Sequence, residues 1–281
     1  MTALVGVAPT QLDVGGVSTA VIDTGGSFEE TPLLLLHGSG PGVTAAANWR
    51  LVIPSFAAAR RVIAPDQLGF GGTATGAARQ FGRAAWTAHA VALLDRLGLD
   101  RVDVVGNSMG GAIALSLATQ HPERIRRVVL MGAMGIDMPL PFGLDAVWGY
   151  TPSVANMERT IRLFTDDEAL ITGDLVQLRY EASEAPAVRD SWAAMFPEPR
   201  QRWVDDLALS EDELTRIRHP VLLVHGRDDH VIPLSTSSLP LIDRLTEVEL
   251  HVFGGCGHWT MIERTTDFVD LVQAFLTRPR G

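Results

Sequence analysis

Short apolar runs alternate with longer amphipathic stretches along most of the chain. Continuous runs of four to seven apolar residues predict buried strands, and spacings of three and four predict helices. The pattern predicts strands at residues 33–36, 62–64, 101–105, 125–131, 220–225 and 248–252, after two short strands within residues 11–24. It predicts helices at residues 45–60, 83–97, 112–118, 235–245 and 265–276. The helix at 83–97 should carry Trp86, Val91, Leu94 and Leu97 on one face and end at Gly98 as its cap. Such alternation is typical of right-handed crossovers and a mostly parallel sheet, buried on both faces and flanked by helices.

The alternation stops after Met131 and resumes at residue 220. The segment between is rich in proline, methionine and large apolar residues, and residues 159–164 and 174–180 read as helices. We interpret it as a helical cap inserted into an α/β core. The boundaries are residues 1–134 for the first part of the core, 135–206 for the cap and 207–281 for the second part. A plain helical extension without a pocket is the alternative, because apolar helix faces usually form core.

Composition narrows the functional class. The 281 residues carry a formal net charge of −10, which disfavours nucleic acid or an anionic membrane as a partner. Every basic residue is an arginine, which excludes lysine Schiff-base chemistry and the Walker lysine. No apolar run approaches about 18 residues, and no charged N-terminal segment precedes a signal core. With Cys256 as the single cysteine, we expect a cytoplasmic protein without disulfides.

A serine lies at the turn between a predicted strand and a predicted helix. Residues 106–111 read Gly-Asn-Ser-Met-Gly-Gly, after the strand at 101–105 and before the helix at 112–118. This context, beyond the Gly-x-Ser-x-Gly pattern alone, is typical of a nucleophile elbow. A surface turn that matches the pattern by chance is the alternative. The elbow interpretation makes Ser108 the candidate nucleophile.

Two later strands end in loops that carry an acid and a histidine. After the strand at 220–225, Asp228 and Asp229 compete, and we favour Asp229 because it lies at the tip of the loop; ordinary turn acids are the alternative. His258 follows the last strand within a glycine-rich loop. The chain order serine, aspartate, histidine suits a catalytic triad, in which the imidazole accepts the serine proton and the carboxylate orients the imidazole. His225 and His230 flank the acid loop and compete with this assignment.

Other chemistry is less well supported. The glycine-rich residues 37–42 lack the features of a phosphate loop and instead suit an oxyanion hole with the Met109 amide. Cys256 is a weaker candidate nucleophile than Ser108. No cluster of His, Cys, Asp and Glu has the spacing of metal ligands, so we expect neither a metal nor a cofactor.

Four motifs together resemble one branch of the α/β-hydrolase superfamily, the meta-cleavage product hydrolases. They are residues 37–42 with Asn48-Trp49-Arg50, residues 106–111 with Asn107 before the serine, residues 226–229, and Gly257-His258-Trp259. The resemblance covers essentially the whole chain and implies the α/β-hydrolase fold. It implies hydrolysis of a C–C bond in 2-hydroxy-6-oxo-hexa-2,4-dienoates, which are ring-fission products of catechols, and it suggests a homodimer.

The resemblance also implies roles for further residues. Arg179 would pair with the substrate carboxylate, Asn48 and Asn107 would hold the dienoate, and Phe164 and Trp259 would line the pocket. The amides of Ser39 and Met109 would form the oxyanion hole. An arginine offers a two-pronged clamp for a carboxylate, but without the resemblance Arg179 reads as an ordinary surface helix residue.

The same resemblance implies a two-stage reaction and a substrate class. The dienol first becomes a keto tautomer with His258 as proton carrier, and Ser108 then attacks the C6 carbonyl. The loop with Ser39, followed by Ala45-Ala46-Ala47-Asn48, is similar to that of family members that accept hydrogen or alkyl at C6. This similarity favours 2-hydroxymuconate semialdehyde and its alkyl ketone relatives as substrates. A carboxylesterase of the same fold and a non-catalytic ligand-sensing protein are the alternatives.

Overall fold

A computed structural model describes residues 8–73, 75 and 80–279. The prediction that the N-terminus carries no signal segment falls partly on residues outside this described part of the chain. The described strands are β1 Thr10–Val14, β2 Val17–Asp23, β3 Leu33–Leu36, β4 Val62–Pro65, β5 Val102–Asn107, β6 Ile125–Met131, β7 Val221–Gly226 and β8 Val248–Phe253. The described helices are α1 Ala45–Trp49, α2 Ile53–Ala57, α3 Arg83–Arg96, α4 Met109–Gln120, α5 Phe142–Trp148, α6 Val154–Phe164, α7 Gly173–Glu184, α8 Pro186–Met195, α9 Gln201–Leu207, α10 Glu211–Thr215, α11 Ser238–Arg244, α12 Thr260–Glu263 and α13 Thr265–Thr277.

The strands form one eight-stranded sheet in the order β1-β2-β4-β3-β5-β6-β7-β8. The strand β2 runs antiparallel to β1 and β4, and the pairs from β4 through β3 to β8 are parallel. Helices pack on both faces, with α3 against α4 and α13 against α2. The α/β-hydrolase fold and the mostly parallel sheet are therefore confirmed.

Burial of the sheet on both faces holds only for its centre. The strands β3, β4, β5 and β7 are buried throughout. Exposed residues occur along β1 and β8, because each has a neighbouring strand on one side only.

The predicted helix at 45–60 is two short helices. The chain leaves helical hydrogen bonding after Trp49 and resumes it at Ile53, with Pro54 in the first turn of α2. Proline lacks an N–H, so Pro54 cannot donate to the Arg50 carbonyl, and the helix stops and restarts at this point.

The amphipathic face of α3 also differs from the prediction. Trp86 and Leu94 are buried as expected, together with Ala90 and Leu93, while Val91 and Leu97 only border the core. Gly98 follows the helix with a φ of +63°, as expected for a C-terminal cap.

The segment between β6 and β7 contains helices and no strand throughout its described residues 132–220. The two helices expected there are present and longer than predicted, as α6 and α7. The helices α5, α8, α9 and α10 were not predicted, because each spans ten residues or fewer and offers too short a stretch for helical apolar spacing to stand out.

Candidate active site

Ser108 lies between β5 and α4 in a strained backbone conformation. Its φ of +54° makes it the one non-glycine residue with a positive φ among those described. The turn is closed by near contact of backbones: a Cβ on Gly106 would overlap Gly110, and a Cβ on Gly110 would overlap the Leu36 carbonyl. A turn this tight presents the serine side chain at the carboxyl end of the sheet, as a nucleophile elbow does.

Asp229 and His258 come together at the same end of the sheet. His258 Nδ1 donates to Asp229 Oδ2 at 2.6 Å, and the amides of Val231 and Ile232 donate to Oδ1 at 2.8 and 2.9 Å. Burial alone would raise the pKa of Asp229, but the neighbouring His258 and His225 hold it well below its usual range. A permanently ionised carboxylate can fix the imidazole tautomer and stabilise an imidazolium.

The adjacent Asp228 has a different environment. It pairs with Arg227 at 3.0 Å and accepts a hydrogen bond from the Gly255 amide at 2.9 Å. These contacts tie the acid loop to the glycine-rich loop before His258. The structure therefore places Asp229 at the histidine, as favoured from the sequence, and gives Asp228 a role in loop packing.

His225 is a neighbour of the acid that sequence reasoning did not assign. Ser238 Oγ lies 2.7 Å from its Nδ1, and its Nε2 lies 2.9 Å from the Ile232 carbonyl oxygen and 3.4 Å from Asp229 Oδ2. The ring is fully buried. Its position at the end of a buried strand, four residues before Asp229, was the available signal.

Ser108 and His258 line one cavity of about 620 Å³. Among the described residues no hydrogen bond joins the two side chains. Such pairs are often loose in the free enzyme and tighten when substrate binds. Because Asp229 uses Nδ1, Nε2 is the ring nitrogen that is free to exchange a proton with the serine.

The predicted oxyanion residues flank the nucleophile. Met109 begins α4, so no earlier helical carbonyl accepts its N–H. Ser39 lies in the loop after β3 and lines the cavity, while its Oγ accepts a hydrogen bond from Trp148 Nε1 at 2.9 Å. Met109 follows Ser108 directly and Ser39 lines the same cavity, a placement that suits an oxyanion hole beside Ser108.

His37 fixes the loop that carries Ser39. Its Nε2 accepts from the Gln67 amide at 2.9 Å, and Nδ1 donates to the Gly38 carbonyl at 2.8 Å. Complete burial lowers the pKa of His37 to about 4. The ring is therefore neutral near pH 7, in the tautomer that both contacts need.

Arg179 lies inside the cavity, not on the helix surface. Its side chain is 7% exposed, and one guanidinium nitrogen donates to the Pro41 carbonyl at 3.2 Å. Burial, and then the positive charge of Arg50, lowers the pKa of Arg179 to about 10, so it stays charged at neutral pH. The surface alternative considered for Arg179 is thus wrong.

The other predicted binding residues line the same cavity. Asn48 is buried, and its Nδ2 has no hydrogen-bond partner among the described residues. Asn107 Nδ2 donates to the Met131 carbonyl at 3.3 Å. Phe164 stacks on Trp259 with ring centres 5.0 Å apart, and its ring centre lies 5.7 Å from that of His258. The sequence did not identify further wall residues, of which Arg50, Leu170, Leu175, Leu178 and Ile262 are examples.

The competing nucleophile Cys256 is poorly suited to that role. The thiol is fully buried, and burial raises its pKa to about 12. A protonated thiol is a weak nucleophile.

The described part of the chain contains no group of three or more His, Cys, Asp or Glu placed to hold a metal ion. Within the same residues, no helix has the length and apolar character needed to cross a membrane.

Comparison with known proteins gives consistent matches. The model of a protein family described as 'alpha/beta hydrolase fold' matches residues 31–265 of this chain. A 2-hydroxymuconate semialdehyde hydrolase from Pseudomonas sp. strain CF600 is 52% identical over 95% of this chain and 93% of its own length. A 2-hydroxy-6-oxo-2,4-heptadienoate hydrolase from Pseudomonas putida strain F1 is also 52% identical, over 93% of this chain and 94% of its own.

A solved structure gives the same result. It is a serine-to-alanine mutant of a meta-cleavage product hydrolase from Pseudomonas fluorescens IP01, complexed with acetates. It superimposes with a TM-score of 0.91 at 44% identity, and the match covers 95% of this chain and 97% of that protein.

Proposed function

The chain belongs to the alpha/beta hydrolase fold family and, within it, to the meta-cleavage product hydrolases, and on this premise we propose that it hydrolyses the C5–C6 bond of a 2-hydroxy-6-oxo-hexa-2,4-dienoate. The observation that carries the proposal is Arg179, a buried cation in the cavity of Ser108 and His258. A serine hydrolase for neutral esters has no need of such a charge. A dienoate needs it, because its carboxylate must leave water inside a protein of net charge −10.

Ser108, His258 and Asp229 are the catalytic residues of this proposal. In the first stage, the proton of the 2-hydroxyl leaves and C5 gains a proton, with His258 as carrier, so that a ketone forms at C2. In the second stage, His258 Nε2 takes the Ser108 proton as the oxygen attacks C6. Asp229 stabilises the resulting imidazolium through the 2.6 Å hydrogen bond.

The C–C bond then breaks with its electron pair moving into the C2 ketone. Water supplies the remaining oxygen and protons, and the products are a carboxylic acid from C6 and 2-hydroxypenta-2,4-dienoate. The amides of Ser39 and Met109 stabilise the oxyanion at C6. Asn48 and Asn107 hold the dienoate, and Phe164 and Trp259 form its apolar wall.

We propose that the C6 substituent is small. The two relatives that are 52% identical are named for a semialdehyde and for a 6-oxo-heptadienoate, whose C6 carbonyls bear hydrogen and methyl. 2-Hydroxymuconate semialdehyde and its alkyl ketone counterparts are accordingly the proposed substrates.

The cap domain, the oligomeric state and the cellular location are also proposals. Residues 135–206 would form the cap between core segments 1–134 and 207–281, supported by the helices α5 to α9 and by Arg179 reaching the cavity from α7. A homodimer and a cytoplasmic location follow from the resemblance and from the single cysteine.

Replacement of Arg179 tests the proposed substrate class. We expect R179Q to lower kcat/KM for the dienoate by about 100-fold or more, because a charge-assisted carboxylate clamp is lost. Hydrolysis of p-nitrophenyl acetate, a neutral ester, should change by less than about threefold. Equal losses on both substrates would favour a general carboxylesterase. A wild-type protein that binds dienoate without turnover would favour a ligand sensor.

A further inference from the structure

A second arginine, Arg50, lines the cavity, and the mechanism proposed above gives it no role. Arg50 ends α1 and lines the cavity together with Arg179 and Asn48. Burial lowers the pKa of Arg50 from its usual high value, and a guanidinium group stays protonated in proteins at neutral pH. Two arginines therefore line one cavity.

These two cations are not neutralised by the protein. Among the residues that the structure describes, neither Arg50 nor Arg179 forms an ion pair with a carboxylate. Arg50 donates to the Ala47 carbonyl at 2.6 Å, and Arg179 donates to the Pro41 carbonyl. The charge of Arg50 acts directly on Arg179, so the pair repels until an anion enters.

Residues that line the same cavity also carry unused hydrogen-bond donors. Arg179 Nε and Asn48 Nδ2 are buried without a hydrogen-bond partner among the described residues. Buried polar groups normally find partners, and a group of unpaired donors in a cavity indicates acceptor atoms in the ligand. Arg50 and Arg179 each carry five N–H donors, of which the bonds to the Ala47 and Pro41 carbonyls use one each, so with Asn48 the donors exceed the about four lone-pair sites of one carboxylate.

We propose that Arg50 is a second substrate-binding residue, which together with Arg179 and Asn48 binds the carboxylate and the adjacent C2 oxygen of the dienoate. This rests on the proposed function and deepens it: the site selects acids that carry an oxygen on the carbon next to the carboxylate. A simple carboxylic acid without that oxygen would leave part of the donor set unpaired and would bind more weakly.

Binding to an inactive variant tests the role without chemistry. In an S108A background, the visible absorbance of 2-hydroxy-6-oxo-hepta-2,4-dienoate reports its Kd. We expect R50Q to raise this Kd by about 10- to 100-fold, as loss of a charge-assisted contact does, and R50K to recover part of the loss. The matched control is R96Q, which removes the same charge from the exposed end of α3.

Two measurements separate a binding role from a structural one. In the otherwise wild-type protein, R50Q should raise KM for the dienoate while kcat/KM for p-nitrophenyl acetate changes by less than about threefold. 2-Oxopentanoate should inhibit dienoate hydrolysis better than pentanoate in the parent, and this preference should shrink in R50Q. A Kd equal to that of R96Q, or parallel losses on the neutral ester with a lowered Tm, would overturn the proposal.

The outcomes distinguish this proposal from the proposed function. If the parent bleaches the dienoate and R50Q binds it as tightly as the control does, then the function stands and the role of Arg50 is wrong. If the parent does not bleach the dienoate at all, the proposed function itself fails.

Discussion

In the proposed mechanism Ser108 and His258 exchange one proton, so the effects of replacing each of them should not multiply. We expect S108A and H258A each to lower kcat for dienoate cleavage by at least about 1,000-fold, because neither the nucleophile nor its base works alone. The double variant should be no slower than about the worse single variant. Stopped-flow absorbance at the dienoate maximum measures all three, and losses that multiply would mean that the two side chains do not act as a unit.

The two neighbouring aspartates provide a matched pair of variants. D229N removes the ionised partner of His258 and should lower kcat by about 100-fold or more, because an amide there favours the wrong imidazole tautomer. D228N loses only the contacts to Arg227 and Gly255 and should change kcat by less than about threefold. The reverse order would transfer the catalytic acid to Asp228.

At the level of residues, the sequence predicted what local context encodes. The strand and helix around Ser108 predict its place at the tight turn, and the position of Asp229 in its loop predicts its contact with His258. Burial of Arg179 could not be derived from α7 itself, whose apolar residues define no clear face, so its role came only from the resemblance. Arg50 and His225 were not assigned, because their contacts depend on segments that are distant in the chain.

The loop after β3 carries the proposed oxyanion residue Ser39 and the buried His37, and a pH series tests this element. The folded-state pKa of His37 is about 4, below the value near 6.5 of an unfolded histidine. Between these values the unfolded chain binds more protons, so stability is complete above about pH 6.5 and falls as the pH drops toward 4. Across this whole pH window, the difference in the pKa of His37 corresponds to a loss of about 3 kcal/mol in the free energy of unfolding.

Urea unfolding at several pH values measures this effect. The parent should lose stability across that window, whereas H37Q should have a flatter profile because it lacks the titrating ring. The control is H251Q, which replaces an exposed histidine on β8 and should keep the parent slope. An H37Q profile parallel to that of the parent would contradict the neutral, buried state of His37.

At the level of elements, prediction worked best for the sheet. Strands were found because continuous apolar runs leave few alternatives in a buried parallel sheet. The helix predicted at 45–60 was wrong because apolar spacing continues through Pro54 while the backbone cannot. Four helices between β6 and β7 were not predicted, since they are short and their boundaries depend on packing with their neighbours.

The molecule as a whole brings distant loops to one place through its strand order. The strands β5, β6, β7 and β8 are parallel neighbours, so the loops with Ser108, Asp229 and His258 leave the same edge of the sheet. The protein is net acidic, but the cavity beside these loops is lined by two arginines, Arg50 and Arg179. That contrast favours an anionic substrate held in one orientation, with its carboxylate at the arginines and its C6 carbonyl at Ser108.

The most direct test of this account is the loss of visible absorbance of ring-fission dienoates that differ only at C6. Compounds with hydrogen, methyl and phenyl at C6 would be compared by kcat/KM, with p-nitrophenyl acetate alongside. We predict rapid bleaching of the hydrogen and methyl compounds and a kcat/KM at least about 10-fold lower for phenyl. No bleaching of any dienoate, together with turnover of p-nitrophenyl acetate, would contradict C–C hydrolysis and leave a serine esterase of the same fold.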